Sequence, residues 1–305
     1  MKVLFMGTSH FAAASLTALL KSRHDVVGVV TQPDRALKHG KCELSPVKQL
    51  ALSAGLPVFQ PNKIRAEVDK LVEFGADIAV TAAYGQILDK AVLTAFKYGV
   101  INVHASLLPK YRGASPIQSA IAAGESVTGV TIMRTELGID TGDILNIKSI
   151  DIGETETAGE LTDRLAELGA SLLVETLDNF SNITPQKQDE STATHCKVIS
   201  KSDQFLDFSQ NCIDVVNKIR ALSPNRCAKV IIDGEQYKLY RAAPCQSIDG
   251  QIGQVICTKD KMYIVCGSGA ICVQEIQAPS KRAMGIAEFL RGKKFREGVV
   301  CAKQP

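Results

Sequence analysis

Asn102 and His104 stand two residues apart at the end of an apolar run that begins at Val100. Side chains of a strand alternate between its faces, so this spacing puts the amide and the imidazole on one side. An amide donor beside an imidazole suits polarising a carbonyl and holding the oxyanion that forms when a nucleophile attacks it. The plainer reading makes His104 a hydrogen-bonded core histidine, and the pair alone does not choose between them. A carboxylate that orients the imidazole would complete the catalytic reading. The stretch Gly138-Ile-Asp140-Thr-Gly142-Asp143 offers two, although glycine-punctuated turns often hold Asp for backbone capping alone. Asp140 lies deeper in the turn than Asp143 and is the preferred partner.

Other motifs say less. Gly7-Thr-Ser-His10 lacks the G-x-G-x-x-G pattern of dinucleotide folds, so Gly7 reads as a glycine with a structural job at a strand-to-helix turn. Eight of the nine cysteines follow residue 195, with no C-x-x-C pair and no Cys/His zinc spacing. They read as buried hydrophobes or free thiols of a reducing compartment, so neither a metal nor a disulfide framework is expected.

The elements that must position the candidate residues follow from periodicity. Lys2–Met6, Val26–Thr31, Asp77–Thr81 and Val100–Val103 read as strands, with Val127–Met133 and Ile144–Ile150 closing the series. Phe11–Leu20 has helical apolar spacing, and Ser45-Pro46 and Ser115-Pro116 both look like an N-cap followed by proline at the first helical position. Thr157-Ala-Gly-Glu160 is a capping box ahead of a leucine-lined helix that ends near Phe180. Strands alternating with helices predict an α/β, Rossmann-like domain around a parallel or mixed sheet. Ligands of such sheets bind outside the carboxyl ends of the strands, where Asn102 and His104 fall.

After a polar stretch the texture changes. A helix is expected over Cys212–Leu222, then short strands at Lys229–Ile232, Tyr237–Ala242, Gly253–Cys257, Met262–Val265 and Ile271–Ile276. Asp233-Gly234 is a hairpin signal. This predicts a small C-terminal β-barrel of the oligonucleotide-binding type. The expected domains are 1–181, a linker 182–203, and 204–305.

At 305 residues the chain exceeds a single-core domain, and 45% apolar against 22% charged residues excludes a disordered chain or a coiled coil. No apolar run approaches a membrane span and the N-terminus has no signal-peptide pattern, so a cytoplasmic, membrane-free protein is expected. Charge is uneven: residues 1–200 carry 19 Lys/Arg against 22 Asp/Glu, and residues 201–305 carry 16 against 10. A basic second part fits either a polyanionic partner or a solvated surface.

Between these elements runs Ser106-Leu-Leu-Pro-Lys-Tyr-Arg-Gly-Ala-Ser-Pro-Ile117, and here the chain strongly resembles the methionyl-tRNA formyltransferases. Matching motifs are Phe5-Met-Gly-Thr8, Gln32-Pro-Asp-Arg35, Ser45-Pro-Val-Lys48, Ala82-Ala-Tyr-Gly85 and Asn102-Val-His-Ala-Ser-Leu-Leu-Pro109. Gly129-Val-Thr-Ile-Met133, Gly138-Ile-Asp-Thr-Gly-Asp143, Gln188-Asp-Glu-Ser191, Ile199-Ser-Lys201 and Ala287-Glu-Phe-Leu290 extend the resemblance over nearly the whole chain. The Asn–His–Asp set with Ser-Leu-Leu-Pro marks folate-dependent formyltransferases broadly. Arg112-Gly-Ala with Pro116-Ile and the C-terminal part narrows the match to the tRNA branch.

The resemblance implies transfer of the formyl group of 10-formyltetrahydrofolate to the amine of initiator methionyl-tRNA by a monomer that needs no metal. Asn102 and His104 would hold the oxyanion, and Asp140 would set the state of His104 and help move the amine proton. The backbone at Tyr84, Gly85, Gln86, Ile87 and Leu88, with Leu107, Leu108, Pro109 and Lys110, would form the folate wall. Arg35, Lys38 and Lys41 in an insertion loop, with Lys281, Arg282, Arg291, Lys293 and Lys294 near the C-terminus, would hold the tRNA. Two rivals stay open: another folate-dependent formyltransferase or hydrolase, acting on glycinamide ribonucleotide or an amino-sugar nucleotide, and an inactive RNA-binding relative. The chain departs from the family at Ser9-His10, where a proline and an acidic residue are usual. It departs again at Pro224-Asn-Arg-Cys227, which replaces a Pro-Trp-Pro-Gly stretch, and its insertion loop is poorer in glycine and arginine. His24, His39 and His195 match no family role and are expected on the surface.

Overall fold

Lys2–Gly7 carries Val3, Leu4, Phe5 and Met6 in an unbroken run, a composition that needs cover on both faces of a strand. In the computed structural model, which describes residues 1–36, 42–246 and 248–302, all four are wholly buried. This strand, β1, belongs to a sheet with β2 (Asp25–Val30), β3 (Val58–Phe59), β4 (Ile78–Ala82), β5 (Val100–His104), β6 (Val127–Arg134) and β7 (Ile144–Asp151). The strand order is β7-β6-β5-β4-β1-β2-β3. Pairing is parallel from β5 through to β3, while β6 runs antiparallel to β5 with His104 opposite Thr131. The sheet is therefore mixed, because the connection after β5 re-enters it at the end where β5 leaves.

Local chemistry fixes where the helices begin and which faces they bury. On α1 (His10–Leu20), Phe11, Ala12, Ser15, Leu16 and Leu19 are buried, one face at helical spacing. Gly7 fits the plain reading, since a Cβ there would lie 2.7 Å from that of Ala12. Ser45 caps α2 (Pro46–Ser53) by accepting from the Lys48 N–H at 3.1 Å. The expected second cap is absent: Pro116 does open α5 (Pro116–Ala122), but Ser115 donates its hydroxyl to the Lys197 carbonyl instead. Two further short helices are α3 (Val68–Glu73) and α4 (Lys90–Leu93). The capping box is formed at the start of α6 (Ala158–Asp178), with Thr157 N–H to Glu160 at 2.9 Å and Glu160 N–H to Thr157 at 3.3 Å. Gly169 lets α6 lie directly on Val103 and Val130 of β5 and β6.

The C-terminal sheet contains β8 (Ala228–Ile232), β9 (Glu235–Cys245), β10 (Val255–Cys257), β11 (Met262–Val265), β12 (Ala270–Gln277) and β13 (Ala283–Gly285), in the order β8-β9-β12-β11-β10 with β13 on β12. One strand more than expected is present, β13, which feeds α8 (Ile286–Gly292). Asp233 and Gly234 take φ of +52° and +77°, the left-handed pair that a tight hairpin between β8 and β9 requires. The segment after α8 links the two edges of this sheet: Cys301 N–H donates to Gly253 and Ala302 N–H to Ile231, at 2.8 and 2.9 Å. Tyr237, Leu239, Ile264, Ile271, Val273 and Ile276 fill its interior, together with residues of α7 (Cys212–Leu222).

The chain divides into two compact units. The first takes Met1–Gly113, Thr128–Ile150 and Thr162–Cys196; the second takes Ala114–Val127, Asp151–Leu161 and the chain from Lys197. Every cysteine is a free thiol, and burial pushes Cys266 and Cys301 up to about 12. His195 is exposed, and His39 lies outside the described residues. The surface reading fails for His24, which is buried with Nδ1 3.3 Å from the Met1 amine and Nε2 3.2 Å from Asp178. The Met1 amine gives Nδ1 a hydrogen-bond partner, whereas Nε2 is buried without one and has only the nearby Asp178 charge.

Candidate active site

Asn102 and His104 occupy the carboxyl end of β5, and the pleat turns both to one face as their spacing predicts. Thr81, opposite Asn102 in the β4–β5 register, donates its hydroxyl to the Asn102 carbonyl oxygen at 2.9 Å. That bond fixes the amide so that its NH2 is the end left to donate. No partner for this NH2 occurs among the described residues.

His104 is buried, and its Nε2 lies 3.0 Å from the Tyr111 carbonyl. A carbonyl only accepts, so Nε2 carries a proton there. Nδ1 lies 3.5 Å from Oδ2 of Asp140. The remaining ring nitrogen, Nδ1, is therefore the one that faces the Asp140 carboxyl group. Asp140, preferred from sequence over Asp143, is the carboxylate that reaches the ring.

The turn that delivers Asp140 is held tightly. Asp140 has φ of +52°, a conformation that costs about 1–3 kcal/mol for a residue other than glycine. Its Oδ2 also accepts from the Gly113 N–H at 2.8 Å. Gly113 stands at φ +114° in a two-residue strand paired with His195–Cys196, and a Cβ there would sit 2.1 Å from the Cys196 carbonyl oxygen. Only glycine permits that approach.

Arg112 was legible only as part of a motif, yet it is nearly wholly buried. Its guanidinium donates to Gln188 Oε1 at 2.8 and 3.0 Å and forks onto Glu190 at 2.7 and 2.9 Å. Glu190 holds the Arg112 guanidinium more firmly charged, and Arg112 in turn keeps the Glu190 carboxyl below its usual range. The Gln188 amide donates onward to the carbonyls of Asp140 and Gly142, at 2.9 and 2.7 Å. Arg112 is 76 and 78 residues from Gln188 and Glu190, and Gln188 is 48 and 46 from Asp140 and Gly142; nothing in their types or spacing announces that they meet.

The proposed folate wall is a loop, and the structure divides its residues. Tyr84 and Leu88 turn their side chains into an apolar cluster with Val92 and Phe96, where burial pushes the Tyr84 phenol up. Gln86 accepts from the Ile64 N–H and donates to the Pro61 carbonyl, so its side chain braces a neighbouring loop. Gly85 and Ile87 are exposed, Ile87 at 85%. What this segment can offer a ligand is backbone and the Ile87 face. Leu108 is buried, Leu107 and Pro109 are half-buried, and Lys110 is exposed with its carbonyl accepting from Ser106. Thr131 ties this second segment down, donating to the Ser106 carbonyl at 2.7 Å and accepting from the Leu108 N–H at 3.2 Å.

Of the basic residues, Arg35 is exposed in a short ladder with Glu43, while Lys38 and Lys41 lie outside the described residues. In the C-terminal unit Arg282 pairs with Glu288 and Lys293 with Glu235, both at 3.0 Å. Lys281, Arg291 and Lys294 are exposed and make no ion pair among the described residues. Among those residues no group of three or more His, Cys, Asp or Glu is arranged to hold a metal, and no helix is long and apolar enough to cross a membrane.

A profile of the family described as formyl transferase matches residues 1–177, and one described as formyl transferase, C-terminal domain, matches residues 198–294. A methionyl-tRNA formyltransferase of Lachnospira eligens is 42% identical over 99% of this chain and 100% of its own. One from Pseudoalteromonas translucida is 40% identical over 96% and 94%. Among solved structures, a sugar 3N-formyl transferase determined with dTDP and 5-N-formyl-THF superposes with a TM-score of 0.69 over 92% of this chain and 99% of that one, at 20% identity. HypX from Aquifex aeolicus with tetrahydrofolic acid gives 0.65 over 97% and 49%, at 17% identity. At those identities the likeness is one of fold.

Proposed function

The chain belongs to the formyl transferase family, and from that membership we propose that it transfers the formyl group of 10-formyltetrahydrofolate to the amine of initiator methionyl-tRNA. It is an enzyme, a one-carbon transferase. The observation that carries the acceptor is the match to methionyl-tRNA formyltransferases at about 40% identity over nearly the whole chain, basic C-terminal unit included. Its work belongs in the cytoplasm, with the other components of translation initiation.

The bound folate supplies an activated formamide. The residues present suit such a donor: loop backbone at 85–87 and the exposed Ile87 offer hydrogen bonds and an apolar face to a flat heterocycle. The Asn102 NH2, aimed by Thr81, donates to the formyl oxygen as charge gathers on it. His104, held between Tyr111 and Asp140, supplies the polar neighbour on the same side of that oxygen. The amine proton leaves toward the Nδ1–Oδ2 pair, directly or through a water, and a proton passes to the folate nitrogen as its bond to the formyl carbon breaks, releasing tetrahydrofolate. The exposed Lys281, Arg291 and Lys294, with the paired Arg282 and Lys293, meet tRNA phosphates, and the positive charges of Arg35, Lys38 and Lys41 serve the acceptor end.

The test incubates purified protein with labelled formyl donor and three acceptors: methionyl-tRNA, glycinamide ribonucleotide and an amino-sugar nucleotide. Label on methionyl-tRNA alone is expected. Label only on one of the other two would overturn the acceptor.

A further inference from the structure

We infer that Gln188 is a positioning residue for the reaction, acting through Asp140, and that Arg112 and Glu190 hold it in place. The inference rests on the reading of Asp140 as the proton-handling partner of His104. Asp140 reaches Nδ1 of His104 from a turn in a strained left-handed conformation. A single side chain from a distant part of the sequence grips that turn at the carboxylate's own residue and again two residues beyond. The Gln188 NH2 gives one hydrogen to the Asp140 carbonyl and the other to that of Gly142, two residues on. Both donors of the amide are spent on the turn, and its oxygen is spent on Arg112.

The orientation of the amide is dictated by charge. Arg112 can only donate, so Gln188 must turn its oxygen to the guanidinium and its NH2 to the turn. Arg112 is buried, whereas the Glu190 side chain that neutralises it is 71% exposed. The acid thus lies at the surface and the cation inside, beside the catalytic turn. An apolar side chain would fill the volume of Arg112 without desolvating a charge. What it could not do is orient Gln188. Arg112 is also adjacent in sequence to Gly113, whose N–H holds Oδ2 of Asp140. One short strand therefore fixes the carboxylate directly through Gly113 and its backbone indirectly through Arg112 and Gln188.

The informative substitution is Gln188→Glu. It keeps an oxygen for Arg112 but replaces both donors with an acceptor facing two carbonyls. Gln188→Met keeps the length and removes all three bonds. Both are compared with wild type and Asp140→Asn for kcat and for KM of folate donor and methionyl-tRNA, with melting curves in parallel. The expected result is a fall in kcat of about tenfold or more in Gln188→Glu with both KM values within about threefold, as displacement of a catalytic group gives. Gln188→Met should fall in the same direction. A KM rise matching the kcat fall would mean that Gln188 positions a substrate, and unfolding of both variants would mean that it serves stability. Either overturns the inference. If wild type is active and Asp140→Asn is not, while Gln188→Glu matches wild type, the inference alone fails. If wild type leaves methionyl-tRNA unformylated, or Asp140→Asn keeps full activity, the underlying reading fails instead.

Discussion

Nδ1 of His104 lies 3.5 Å from Oδ2 of Asp140, and Nε2 of the same ring is committed to the Tyr111 carbonyl. Asp140→Asn would set an amide against Nδ1 while keeping the shape of the turn. Turnover should fall by about 10²-fold or more, since general acid–base assistance is worth about 10²–10⁴. Single-turnover formylation of methionyl-tRNA measures it, and wild-type rates would remove Asp140 from proton transfer.

Asn102 is separable from that pair, because Thr81 and not His104 orients its amide. Asn102→Ala should cost about 10²–10³ in kcat, the loss typical of one oxyanion donor. Thr81→Val removes only the hydroxyl that fixes the amide and should give a smaller loss in the same direction. If Thr81→Val were as damaging as Asn102→Ala, Thr81 would have a role of its own.

Gly113→Ala should damage both stability and turnover. Its Cβ would meet the Cys196 carbonyl oxygen at 2.1 Å, at a φ that alanine resists. A loss of roughly 2 kcal/mol or more is the size expected for such backbone strain. Denaturant melts and kcat should therefore move together, whereas unchanged activity would uncouple the Gly113 N–H from Asp140.

The C-terminal cations should not contribute equally to tRNA binding. Lys294 has no ion-pair partner among the described residues, while Lys293 is matched by Glu235 at 3.0 Å. Lys294→Ala should lower the slope of log affinity against log salt by roughly 1. Lys293→Ala should lower it less, because releasing Glu235 returns a negative charge to the surface. Equal slopes in both variants would show that the Glu235 pair opens when tRNA binds.

The two-residue spacing of Asn102 and His104 carried real information, since strand pleating converts it directly into a shared face. The glycines around Asp140 likewise signalled a tight turn. What could not be read were interactions set by tertiary approach: Gln188 on the Asp140 turn, Arg112 on Gln188, and Thr81 on Asn102. Hydrogen bonds between groups so far apart in the chain leave no periodicity. The same limit explains Ser115, whose cap-like sequence lost to the Lys197 carbonyl, and β13, too short to stand out beside five longer runs. His24 was misplaced because its burial depends on the Met1 amine and Asp178, which only the fold brings to it.

His24 also gives the chain a specific pH dependence. Burial is the largest cause holding its pKa below the ordinary 6.5, followed by the neighbouring Met1 ammonium, with Asp178 opposing both. The unfolded chain therefore takes up a proton at this residue as pH falls through about 6.5, while the folded chain still resists. Protons favour the state that binds more of them, so stability drops over this window and stops dropping once pH passes the lowered folded value. His24→Gln removes the titration while keeping a polar group beside Asp178. Its melting temperature should fall less steeply than that of wild type on moving from neutral pH into the acid side of this window. Parallel curves would mean that the Asp178 contact cancels the burial of the ring, and that acid sensitivity has its origin elsewhere in the chain.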